Sequence, residues 1–92
     1  MTEEGLDSLK GLAGLENLVL VGTKIGDTSL IPIGTFAKLD SLDLSHTAVT
    51  DAGLTHLARL TLLRQLFLKQ CAVSDAGVAE LQKALPNCRI VR

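Results

Sequence analysis

The chain has 92 residues, enough for one small domain with a modest core. Nine basic against ten acidic residues leave a net charge of −1 with no run of either sign, which disfavours nucleic acid and anionic membrane surfaces as partners. Apolar residues are 47% of the chain yet form only short runs, which excludes a membrane-spanning helix, and the start MTEEGLDSLKG lacks the regions of a signal peptide. The two cysteines, Cys71 and Cys88, form neither a disulfide framework nor a metal-ligand spacing, so reduced thiols in a cytoplasmic setting are expected. With Phe36 and Phe67 as the only aromatics, the expected core is aliphatic and rich in leucine.

Along the chain, one pattern returns every 24 residues. TEEGLDSLKGLAG (2–14) matches the second half of a unit. LENLVLVGTKIGDTSLIPIGTFAK (15–38), LDSLDLSHTAVTDAGLTHLARLTL (39–62) and LRQLFLKQCAVSDAGVAELQKALP (63–86) are three whole units. NCRIVR (87–92) matches a first half, with Ile90 standing where Leu18, Leu42 and Leu66 stand. The chain therefore reads as a single domain over 1–92.

Within a unit the period changes. Leu42 and Leu44 lie two apart and predict a short strand with one buried face. Leu54, Leu57 and Leu60 follow as the stripe of a short amphipathic helix, capped by Thr50 or Asp51. Gly53 and Gly77 mark places of close packing. The first unit departs from this pattern: Gly26, Ser29 and Pro32 replace Thr50, Gly53 and His56, which predicts a shorter or irregular segment with a 3₁₀ turn. Strand, turn and helix in one unit cannot bury a face alone; stacked units complete a shared core.

The run LxxLxLxxT/C followed by VTDAGL resembles the leucine-rich repeat, in the type with Cys or Thr at the turn position found in F-box-associated and related bacterial proteins. That resemblance implies an α/β fold. It takes the form of a leucine-rich repeat solenoid, a short right-handed arc with parallel concave strands and convex helices. It also implies that Thr23, Thr47 and Cys71 point inward and satisfy backbone groups of the turn.

Chemistry is sparse in this sequence. The glycines are dispersed, no serine has the frame of a nucleophile elbow, and His46 and His56 fall on a turn and a helix without a ligand spacing. Asp27, Asp51 and Asp75 form a column that reads as three residues each serving its own helix N-terminus rather than as a cation ladder. The expectation is no catalytic residue, no metal and no cofactor: a protein that is not an enzyme.

Recognition would then fall to strand positions between the leucines, which differ from unit to unit. The outward columns are Asn17, Ser41, Gln65 and Arg89; Val19, Asp43, Phe67 and Val91; and Val21, Ser45 and Lys69, beside Gly22, His46 and Gln70. Phe67 is the expected anchor for a protein partner, with Asp43, Lys69, His46, Arg89 and Val19 around it. Open solenoid ends offer self-association as a further contact. A structural segment at the C-terminal end of a larger solenoid, with no binding of its own, is the competing expectation.

Overall fold

A computed structural model describes residues 14–92; all but Gly14 of the half unit expected over 2–14 lies outside the described residues. Each strand is three residues long: β1 (Asn17–Val19), β2 (Ser41–Asp43), β3 (Gln65–Phe67) and β4 (Arg89–Val91). They form one parallel sheet in the order β1-β2-β3-β4. Leu18 pairs with Leu42, Leu42 with Leu66, and Leu66 with Ile90, so the 24-residue period is also the sheet register. Hydrogen bonds carry the ladder beyond the strands, from the amides of Leu20, Leu44 and Leu68 to the carbonyls of Asp43, Phe67 and Val91 at 2.7–2.9 Å.

Alternation places leucines on one side only. Leu42, Leu44, Leu66 and Leu68 are buried, whereas Leu18 and Ile90, on the outer strands, are only partly covered. Ile25, Ile33, Leu54, Leu57, Leu60, Leu81 and Leu85 close the core from the opposite layer. The core departs from an all-aliphatic one at Phe36, which is 1% exposed.

The opposite layer is helical, and its three segments differ for a reason of pitch. A 3₁₀ turn (Asp27–Ser29) runs into α1 (Leu30–Ile33), where Pro32 sits in a first turn that needs no amide from it. In the second unit α2 (Asp51–Leu54) gives way to a 3₁₀ segment, Thr55–Arg59. Leucines at 54, 57 and 60 repeat every three residues, the period of a 3₁₀ helix, so that pitch keeps all three on the core. In the third unit, Val78, Leu81 and Leu85 follow the wider α spacing, and α3 (Asp75–Ala84) runs for ten residues.

Between strand and helix the turn repeats as well. Gly22, His46 and Gln70 stand 24 apart and share a left-handed backbone, with φ of 70°, 59° and 59°. One residue later come Thr23, Thr47 and Cys71. The hydroxyls of Thr23 and Thr47 donate to the carbonyls of Leu20 (2.7 Å) and Leu44 (2.6 Å). The Cys71 thiol reaches across units to the Leu44 carbonyl at 3.0 Å. These side chains do satisfy turn backbone groups, as the resemblance implied.

The aspartate column differs from expectation. Asp27 accepts from the Thr50 amide (2.6 Å) and hydroxyl (2.5 Å), and Asp51 accepts from the Ser74 amide (2.8 Å) and hydroxyl (2.5 Å). Each carboxylate thus holds the residue at the start of the next unit's helix rather than its own. Thr50 makes no side-chain cap to α2, contrary to expectation, whereas Ser74, whose hydroxyl likewise donates to an aspartate, also accepts from the Gly77 amide at 3.1 Å. Ser74's hydroxyl and then its amide hold the Asp51 carboxyl below the usual carboxylate range, with Arg92 adding a smaller effect. Asp75 is bonded by the Arg92 guanidinium, which also donates to the Val73 carbonyl at 3.2 Å.

Candidate interaction surface

Strand alternation turns the odd-numbered residues from 17 to 21, 41 to 45, 65 to 69 and 89 to 91 away from the leucines. Val19 pairs with Asp43, Asp43 with Phe67, and Phe67 with Val91, so these four form a row across the whole sheet. Val19 is 69% exposed and Val21 44%, the most open apolar side chains of the strand side. Phe67 is half-buried rather than open, sitting between Asp43 and Val91 on neighbouring strands.

The polar residues around Phe67 separate into two kinds. Asp43 is half-buried and its carboxylate accepts from the Ser45 amide at 3.0 Å, so part of its capacity is spent on its own turn. Ser45, expected on the open face, is instead 5% exposed, and its hydroxyl accepts from the Lys69 amide at 3.2 Å. Lys69 and Arg89 are exposed and make no ion pair among the described residues. His46 is exposed on the left-handed turn at the end of β2, clear of the Phe67 row. The structure therefore brings Val19, Asp43, Phe67, Lys69 and Arg89 onto one face and leaves His46 at its rim.

A groove of about 420 Å³ on the helical side, between α2 with its 3₁₀ extension and α3, was not anticipated. Leu54, Ala58, Gly77 and Leu81 line it, with Glu80 at the rim. Its lining includes the small residues Ala58, Ala76 and Gly77, from the 3₁₀ segment of one unit and the helix of the next. Among the described residues no group of three or more His, Cys, Asp or Glu is placed to hold a metal ion. No helix of the described residues is long and apolar enough to cross a membrane. Cys71 and Cys88 are both free thiols, and burial raises the Cys88 pKa.

A family model described as Leucine Rich repeat matches residues 37–58, from just before β2 through its turn and α2. The match supports a leucine-rich repeat protein. A comparison with curated proteins gives no match. Leucine-rich repeats generally mediate protein–protein contacts and are typically non-enzymatic, and the parallel sheet with helices on its other side fits an α/β repeat fold. The residues of the row through Phe67 are fixed in place by the sheet and lie outside the buried core.

Proposed function

We propose that the chain is a protein-interaction module in which the sheet forms the concave side of a short right-handed solenoid arc spanning residues 1–92. A protein partner docks on that side, with Phe67 as anchor, Asp43, Lys69, Arg89 and Val19 around it, and His46 at the rim. The observation that carries this reading is the row Val19, Asp43, Phe67 and Val91. Valines stand at its two ends with an aspartate and a phenylalanine between them, at strand spacing of about 4.8 Å, whereas the inward column keeps to Leu18, Leu42, Leu66 and Ile90. A Cys in register with Thr23 and Thr47 supports the cysteine-containing repeat type, and two free thiols suit a reducing, cytoplasmic compartment.

Affinity capture from cell extract by three forms tests the reading: wild type, Phe67→Ala, and Leu62→Ala as an exposed control away from the strands. A partner retained by wild type and Leu62→Ala but lost with Phe67→Ala supports docking at this face. Equal recovery by all three removes Phe67 as anchor, and recovery of nothing specific leaves a structural segment. Phe67→Ala should cost about 1 kcal/mol of stability, as a half-buried side chain, against about 2–5 kcal/mol for Leu66→Ala. Lost capture by Phe67→Ala is then not a consequence of unfolding.

A further inference from the structure

We propose, building on the interaction reading above, that the occupant of this face is a short extended segment of a partner, carrying acidic residues on either side of one apolar side chain. Size is the first argument. Four strands span about 15 Å and each offers about 10–13 Å of outward chain, roughly 200 Å² in plan. A standard interface covers about 800 Å² per partner, so a folded domain is not matched to this face. An extended segment of about five residues, at roughly 3.3 Å each, spans the sheet from β1 to β4.

Charge is the second argument, and it is asymmetric. Of the anions on the strand side, Asp43 keeps its charge while accepting from the Ser45 amide, and Asp40 lies 3.7 Å from Arg64. The cations Lys69 and Arg89 have no ion-pair partner among the described residues. Both flank the apolar pair of β3 and β4: Lys69 lies two residues beyond Phe67 on one strand, and Arg89 two residues before Val91 on the next. The carboxylate of the row, Asp43, lies on β2, so the face runs from an apolar end at Val19 through one anion to two cations on the β3–β4 side. What the β3–β4 side lacks is negative charge, and two cations beside Phe67 and Val91 fit carboxylates beside an apolar residue.

Backbone amide NMR on the isotope-labelled chain tests this. Three probes are titrated: the acetylated peptide Glu-Glu-Leu-Glu-Glu, its counterpart with lysine in place of glutamate, and a short single-stranded oligonucleotide. The acidic peptide is expected to shift the amides of Asp43, Phe67, Lys69, Arg89 and Val91. Its affinity should fall as salt is raised, and should be about tenfold weaker for the K69E/R89E double variant, whose exposed positions leave the core untouched. The proposal is overturned, with the interaction reading still standing, if the lysine peptide shifts the same amides at equal or lower concentration. It is likewise overturned if K69E/R89E binds the acidic peptide unchanged. Tighter response to the oligonucleotide overturns both. Silence of this face toward all three at millimolar concentration overturns the proposal alone, since the Phe67 capture experiment decides the other.

Discussion

Replacing Gly53 by alanine should destabilise the fold, although the same change in an exposed helix interior favours folding by about 1 kcal/mol. A Cβ at Gly53 would stand 2.5 Å from Asp27 Oδ1, 2.8 Å from a methyl of Leu30 and 3.1 Å from the Asp27 Cα. Leu30 is fully buried and Asp27 is tied to Thr50 by two hydrogen bonds, so neither neighbour can withdraw freely. Overpacking of this kind costs about 2 kcal/mol. Weakening the two bonds adds about 1 kcal/mol. Against the helix-propensity gain, the net loss is about 2 kcal/mol, a fall in Tm of roughly 10 °C for a domain of this size. Urea and thermal unfolding followed by circular dichroism read it directly. Gly77 separates the causes, because the three atoms nearest a Cβ there all belong to the Asp51 carboxylate. Gly77→Ala should therefore lower the urea midpoint in the wild-type background and raise it in an Asp51→Ala background. A Gly53→Ala protein as stable as wild type, or a Gly77→Ala effect of the same sign in both backgrounds, refutes the latch between units.

The left-handed turn position should respond with opposite signs: Gly22→Ala should cost about 1 kcal/mol, whereas His46→Gly should stabilise by about 0.5 kcal/mol, both read from urea midpoints. Burial favours the neutral Cys88 thiol, so its contribution is complete below the unfolded thiol value of about 8.5 and is lost as pH rises through the higher folded value. Unfolding midpoints measured from about pH 8 to about pH 10.5 should fall more steeply for wild type than for Cys88→Ala, and a thiol reagent should label Cys71 before Cys88.

Register was legible because it follows from identity: Leu18, Leu42, Leu66 and Ile90 recur at one interval, and the sheet pairs those residues. The irregular first helix was legible through Pro32. What escaped reading shares a physical cause, in that it concerns contacts between units rather than patterns within one. Asp27 and Asp51 look like helix-start residues in their own units, and only the stacked geometry shows that each bonds the residue 23 positions on. Leu54, Leu57 and Leu60 predict a short amphipathic helix, and their spacing of three is met by α2 running into a 3₁₀ segment, whose period is three residues per turn. His46 and Gln70 hide a left-handed backbone that glycine at position 22 announces, visible only once the turns are superposed. For the site, the columns followed from alternation, but exposure did not: Ser45 is covered and Phe67 half-covered by neighbours whose bulk a one-dimensional pattern does not weigh.

The contacts that escaped reading also bear on recognition. The sheet ladder, the reach of Cys71 to Leu44 and Thr47, and the Asp27–Thr50 and Asp51–Ser74 bonds join one unit to the next, so the spacing of β1 to β3 is fixed from both the strand side and the helix side. A face held in this way has little backbone freedom left to lose when it is covered. The ordering cost of an encounter therefore falls mainly on the incoming chain, and it is smallest when that chain is short. Rigidity of the latch and brevity of the ligand are linked on this account. Loosening the latch with Gly53→Ala should weaken the acidic peptide even though Gly53 lies on the opposite layer from Phe67. Unchanged peptide affinity in a measurably destabilised Gly53→Ala protein would separate the two and confine the latch to stability.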